Sequence, residues 1–297
     1  MANLESRANV QTQVLAANIA HATFYSFNLR AQADIKKCLR VIADFFDGES
    51  MVLGIGYDVV NMLGKHIPGL SSARVFQGPL RSNPVLQHDF WLRVNAIDPG
   101  QCMLKSQAML DALSPHCILV EQVDGYMHRE GRDLSGYVDG TENPEDRARS
   151  VVMVDKQQPG VYGSTFLAVQ KWHHQLSVLK AKTQTEQDHV IGRRESDNLE
   201  LDDAPKSAHV KRTAQEQFSP EAFMLRRSLP WSEGRDCGLN FVCFANSFYP
   251  FEAQLQRMMG CDDGIEDGLY QFSRPVNGSY YWCPAQIDGQ LDLSALI

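Results

Sequence analysis

The chain has no run of about 18 apolar residues, which leaves no segment able to cross a bilayer as a helix. It has no Lys/Arg-rich stretch, and its 28 basic against 36 acidic residues give a net charge of −8, which argues against a general nucleic-acid binder. Its seven cysteines form no C-x-x-C pair, and their number is odd. Several lie inside apolar runs such as "NFVCFA" and "YYWCPA", so they are expected to be reduced, mostly buried thiols and not a disulfide framework or a zinc site. The opening "MANLESRANVQTQ" has neither an apolar core nor a twin arginine, and the expected location is the cytoplasm. No dinucleotide fingerprint is present either: Gly54-Ile55-Gly56 begins one, but Val59 stands where the third glycine belongs. What remains is a chain of 297 residues, 43% apolar, enough for two medium domains or one large one.

Periodicity supplies the elements. The second half of "QVLAANIAHATFYSFNL" reads as a strand, and "AQADIKKCLRVIADFF" as a helix, with Ile35, Cys38, Leu39 and Ile42 on one face. "MVLGIGYDVV" and "HDFWLRVNA" read as strands, "PGQCMLKSQAMLDALSP" as a helix with Pro99 in its first turn, and "HCILVEQVDGYMH" as a strand. The order β-α-β-β-α-β is that of a ferredoxin-like unit. The second half repeats the plan less regularly. "STFLAVQKWHH" is strand-like, residues 174 to 193 are helical, "SDNLELDDAPKSA" is a polar loop, "EAFMLRRSLPW" and "LNFVCFANSF" are strands, "PFEAQLQRMMG" is a helix and "GSYYWCPA" a last strand. The expected fold is α+β, two ferredoxin-like units with antiparallel sheets, divided into residues 1–140 and 141–297.

At the boundary stands "SGYVDGTENP", residues 135 to 144, where Asp139 sits among glycines, an asparagine and a proline. Taken alone it is a turn in which Gly136 and Gly140 supply positive φ. An aspartyl nucleophile of the D-x-D-G-T kind would need an aspartate where Tyr137 stands. A carboxylate held rigidly beside a flat cofactor is the third possibility, since glycine lets backbone approach such a ligand closely.

"RDLSGYVDGTENP" (132–144) resembles the G-x-x-D-G signature of the dye-decolourising haem peroxidases, in particular their short bacterial B type. "STFLAVQKWHH" with "HVIGRR", then "SAHVKR", "LRRSLPW" and "FSRPVNGSYYWCP", fall in that family's order and spacing, so the resemblance covers the chain from about residue 12. It implies a dimeric α+β barrel superfamily fold with haem b in the C-terminal unit, hydrogen peroxide as oxidant, dyes or phenols as electron donors, and a homo-oligomer of at least two chains. His209, in its S-x-H context, matches the iron ligand, and Asp139 and Arg226 match the groups that handle peroxide. Arg193 matches the partner of a haem propionate. Asp267 matches the carboxylate behind the ligating imidazole, and Ser228 a polar residue on the Arg226 side. Gly140 and Thr141 are expected against the cofactor. The other histidines have ordinary explanations, with His173, His174 and His189 read as solvated helix positions, and Arg227 as a solvated or interface charge on the opposite face from Arg226. Within the resemblance the alternative is a haem-handling protein, including release of iron from haem; an alternative from another class is a non-catalytic haem store or sensor.

Overall fold

The computed structural model describes residues 8–155 and 160–297, so the first seven residues of the polar opening lie outside the described residues. A short helix α1 (Thr12–Leu15) precedes β1 (His21–Leu29), α2 (Ile35–Phe45), β2 (Met51–Ile55), α3 (Tyr57–Met62), β3 (Phe90–Ala96), α4 (Pro99–Leu113) and β4 (Cys117–Tyr126). Helix α2 starts where the Asp34 carboxylate accepts from the Lys37 N–H at 3.0 Å, and α4 where Asp98 does the same for Gln101 at 2.9 Å. The strands lie antiparallel in the order β4-β1-β3-β2, the pattern of a ferredoxin-like unit. One expectation is corrected: Tyr57–Val60 do not extend β2. The strand ends at Ile55; the N–H of Gly56 is taken by the Asp89 carbonyl, and Val59 and Val60 are buried from the helix that follows.

The second half contains α5 (Ala148–Val152), β5 (Thr165–His174), α6 (Leu176–Lys180), α7 (Gln184–Ile191), α8 (His209–Arg212), β6 (Leu225–Arg226), β7 (Leu229–Glu233), β8 (Asp236–Ala245), α9 (Tyr249–Met258), β9 (Ser273–Pro275) and β10 (Ser279–Cys283). Here the order is β10-β5-β8-β7, the same pattern again. The expected single strand "EAFMLRRSLPW" is broken into β6 and β7. Its register on β8 runs through the break, from Arg226–Cys243 to Leu229–Asn240. At Ser228 the side-chain hydroxyl accepts the Val242 N–H at 3.2 Å, so the regular ladder is interrupted for one position.

The two sets of strands join through the pairs Gly125–Trp231 and Ile55–Trp282, and with β5 bonded to both β8 and β10 the sheet closes on itself. That closure explains why the central strands are buried on both faces. Tyr25, Phe27, Phe90, Leu92 and Val94 pack beneath the helices. Phe24 and Trp91, one residue out of phase, point into the barrel, where they meet Val52, Leu167, Phe244 and Tyr281. Five of the seven cysteines are buried, and all seven are free thiols.

Candidate functional site

The glycine-rich segment folds into a small hairpin. Arg132 and Val138 form an isolated bridge, and the Asp139 N–H donates to the Gly131 carbonyl at 2.9 Å. Gly136 and Gly140 have φ of +105° and +77°, as expected. A methyl group at Gly140 would meet the Asn143 side chain at 2.9 Å. That asparagine is not free to move: its amide accepts the Arg226 N–H at 2.9 Å and donates to the Arg226 carbonyl at 3.1 Å. Tyr137 is buried and its hydroxyl donates to Asp188 on α7 at 2.6 Å, while Gln215 donates to the Glu142 carbonyl at 2.6 Å. The segment thus holds Asp139 at a fixed place beside β6, which carries Arg226.

Burial pushes the Asp139 carboxyl above the ordinary carboxylate value; Asp133 adds to the effect and the Arg226 guanidinium opposes it. Arg226 Nε is buried without a hydrogen-bond partner among the described residues.

His209 opens the one-turn helix α8. Its Nδ1 lies 2.8 Å from Asp267 Oδ2. Asp267 is 2% exposed and its other oxygen accepts the Leu269 N–H at 2.8 Å, which fixes the carboxylate. Since Nδ1 faces Asp267, Nε2 is the nitrogen left for a ligand.

Asp139, Arg226 and His209 line one cavity with about 630 Å³ of empty space. Its other walls are mostly apolar: Met224, Leu239, Phe241, Phe251, Leu255 and Met258. An adjoining polar cavity shares Asp139, His209 and Arg226 and adds Gly140, Thr141, Glu142, Arg193 and Glu200. Arg193 is 9% exposed, buried and not a surface charge, and pairs with Glu142 and, at 3.3 Å, with Glu200. A third cavity reaches Asp139 and Arg226 past Ser228 and Gly131. Every residue singled out from the sequence as a site member lines one of these three spaces except Asp267, which stands behind His209.

Three residues differ from expectation. His173 lies on β5 and not on a helix, with its Nε2 3.0 Å from Asp236 Oδ1. His174 is not a solvated helix position. It is the buried last residue of β5, with Nδ1 2.6 Å from Ser273 Oγ and Nε2 3.1 Å from Asp133 Oδ1. Burial alone would raise the Asp133 carboxyl, but hydrogen bonds from His174 and Ser135 hold it below the usual range. The signal was in the alternation: Gln170, Trp172 and His174 share one strand face, and all three line the apolar cavity. Arg227 does turn away from Arg226, but into the protein, where it is 5% exposed and bidentate to Glu145 at 2.8 and 3.1 Å.

An apolar cavity with a polar, cationic neighbour suits a flat cofactor with an anionic edge. Two buried donors on its wall, Arg226 Nε and Gln170 Nε2, have no partner among the described residues, and an imidazole nitrogen backed by a carboxylate suits a metal. The chemistry of the donor set therefore fits haem.

Comparison with known proteins agrees. Residues 130–288 match the family described as Dyp-type peroxidase, C-terminal. A dye-decolorizing peroxidase of Mycolicibacterium paratuberculosis is 30% identical over 244 residues, 79% of this chain and 69% of the relative. One from Rhodococcus erythropolis is 30% identical over 246 residues, 80% of this chain and 72% of the relative. Among solved structures, DyPB from Rhodococcus jostii RHA1 superposes with a TM-score of 0.83 at 25% identity, covering 93% of this chain and 95% of that one. A putative Dyp-type peroxidase from Shewanella oneidensis shares the fold, with a TM-score of 0.85 at 23% identity, covering 94% and 95%. The chain belongs to the Dyp-type peroxidase family, and with it to the haem peroxidases.

Proposed function

We propose that His209 Nε2 ligates the iron of haem b, that Asp139 and Arg226 work on hydrogen peroxide, and that dyes or phenols supply the electrons. The observation that carries this reading is the convergence of His209, Asp139 and Arg226 on one apolar cavity. A variant of Rhodococcus jostii DypB, 25% identical to this chain, is known in complex with heme. When bound, haem supplies the redox centre at which peroxide is reduced and donors are oxidised. The rest falls to the chain. Asp139 takes a proton from one peroxide oxygen and returns it to the other, a task suited to a carboxyl whose affinity for protons burial has raised. Arg226 stabilises the negative charge on the departing oxygen. Asp267 orients the His209 ring through the contact at Nδ1. Arg193, with Gly140 and Thr141 beside it, faces the anionic edge of the cofactor, exchanging a carboxylate of Glu142 or Glu200 for a propionate. Ser228 lines the peroxide side. The haem-binding unit in this reading is 141–297, with 1–140 completing the barrel.

A haem store or sensor would use His209 but has no need of a guanidinium and a proton-accepting carboxyl at the same cavity, and iron release has no feature of its own here. The absorption spectrum of protein from haem-supplied cells, followed on adding peroxide and a dye, tests the proposal. A histidine-ligated haem spectrum and peroxide-dependent bleaching are expected; protein that takes up no haem contradicts it. Asp267→Asn should leave the fold intact and weaken haem retention or activity by about 10- to 100-fold, the usual cost of losing a carboxylate behind a ligating histidine. Haem titration with unchanged affinity and turnover would remove Asp267 from the site.

We place the enzyme in the cytoplasm on the strength of its seven free thiols. Among the described residues no helix is long and apolar enough to cross a membrane. We also infer a homo-oligomer of at least two chains: on β4, Ile118, Leu119 and Val120 are each 42–43% exposed in succession, an apolar surface that a partner copy would cover. Light scattering at micromolar concentration should give at least twice the 33.3 kDa chain mass; the single-chain mass would refute it.

A further inference from the structure

Five of the seven cysteines are buried, as the apolar runs around several of them anticipated; the contact between two of them was not visible in the sequence. Cys38, on the sheet-facing side of α2, and Cys117, the first residue of β4, are 79 positions apart, yet their sulfur atoms lie 3.1 Å from one another. That is closer than the roughly 3.5–4.0 Å of ordinary apolar contact. Cys102 and Cys261, by contrast, lie against backbone carbonyls, at 3.5 and 3.7 Å. The pair is buried, at 0% and 3% exposure, and is not part of the three cavities around Asp139.

We propose that Cys38 and Cys117 are a peroxide-driven modification site, joined by a reversible disulfide that ties helix α2 to strand β4. The chemistry balances with the oxidant this family consumes. The Cys117 thiolate attacks one peroxide oxygen; the O–O bond breaks, a proton completes the departing water, and Cys117 is left as a sulfenic acid. The Cys38 sulfur then attacks the Cys117 sulfur, the S–O bond breaks, and the hydroxyl leaves with the Cys38 proton as a second water. Two thiols and one hydrogen peroxide give one disulfide and two waters. The hydrogen bond between the sulfurs prepares both partners. It holds Cys38 protonated, raising its pKa, and draws that of Cys117 down, favouring the thiolate that attacks. Cys117 directly follows the turn at residues 114–116, so local opening of that turn admits a small uncharged oxidant. The reaction belongs to conditions in which peroxide outruns the electron donor. It does not depend on which side chain holds the cofactor.

The test uses the full-length, haem-loaded enzyme, incubated with excess hydrogen peroxide and no donor, then alkylated under denaturing conditions, digested and analysed by mass spectrometry. The expected product is a linked pair of peptides containing Cys38 and Cys117, two hydrogens lighter than the separate thiols and lost after dithiothreitol. Cys117→Ser should abolish that link. Recovery of both cysteines alkylated, their separate oxidation to sulfinic or sulfonic acids, or linkage to another cysteine would each overturn the proposal.

Discussion

His209→Ala should lose more than about 10²-fold in peroxidase turnover, beyond the 10- to 100-fold that removal of a group merely supporting a metal ligand costs. Among the described residues its side chain's hydrogen-bond partner is Asp267, 2.8 Å away. The substitution therefore leaves the barrel standing. In the proposed pose the apolar walls Met224, Phe241 and Phe251, with the charge of Arg193, should still favour some haem. On the proposed ligation, the variant should lose the imidazole that donates electron density toward the iron, and with it the histidine-ligated absorption spectrum. The deletion also strands the Asp267 carboxylate, 2% exposed, beside a cavity of imidazole size. Free imidazole, able to donate to that carboxylate, should restore part of both spectrum and turnover. Normal turnover in this variant would reassign the ligand to another histidine.

Asp139→Asn is expected to slow the reaction with peroxide by about 10²- to 10⁴-fold while haem binds normally, because an amide of the same shape accepts no proton. Stopped-flow spectra on mixing with peroxide measure it directly, and wild-type kinetics would shift the role to Arg226. The raised pKa carries two further consequences. On the proposed role of Asp139, the wild type should lose its proton acceptor and react more slowly with peroxide as pH falls through the folded-state value, which lies above the ordinary carboxylate range. The stability effect runs the other way. A carboxyl whose folded pKa exceeds its unfolded one costs nothing below the unfolded value; its ionisation penalty grows as pH rises and is complete above the folded value. At neutral pH Asp139→Asn should therefore be at least as stable as the wild type in thermal unfolding, though far slower.

Much of this was legible in the sequence because local rules and tertiary demands agree there. The apolar period of 3.6 marks α2 and Pro99 the first turn of α4, and the strand order follows from two β-α-β-β-α-β runs. The hairpin around Asp139 was legible because Gly136 and Gly140 stand where φ is positive. The readings failed where a tertiary partner decides. A strand of "LRRSLP" composition gives no sign that Ser228 will answer Val242 with its hydroxyl and interrupt the ladder. Arg227 looks solvated until Glu145, 82 positions away, is brought against it. His174 reads as a surface residue because Asp133 and Ser273, its two partners, are distant in the chain. The cysteine pair escaped for the same reason.

The imidazole beside Asp267 is proposed as the cofactor's protein ligand. Electron paramagnetic resonance of the haem-loaded protein, wild type against His209→Ala, tests it most directly. The wild type should give a ferric signal of histidine-ligated haem, and the variant should lose it and regain a similar one when imidazole is added. An unchanged signal in His209→Ala would contradict the account.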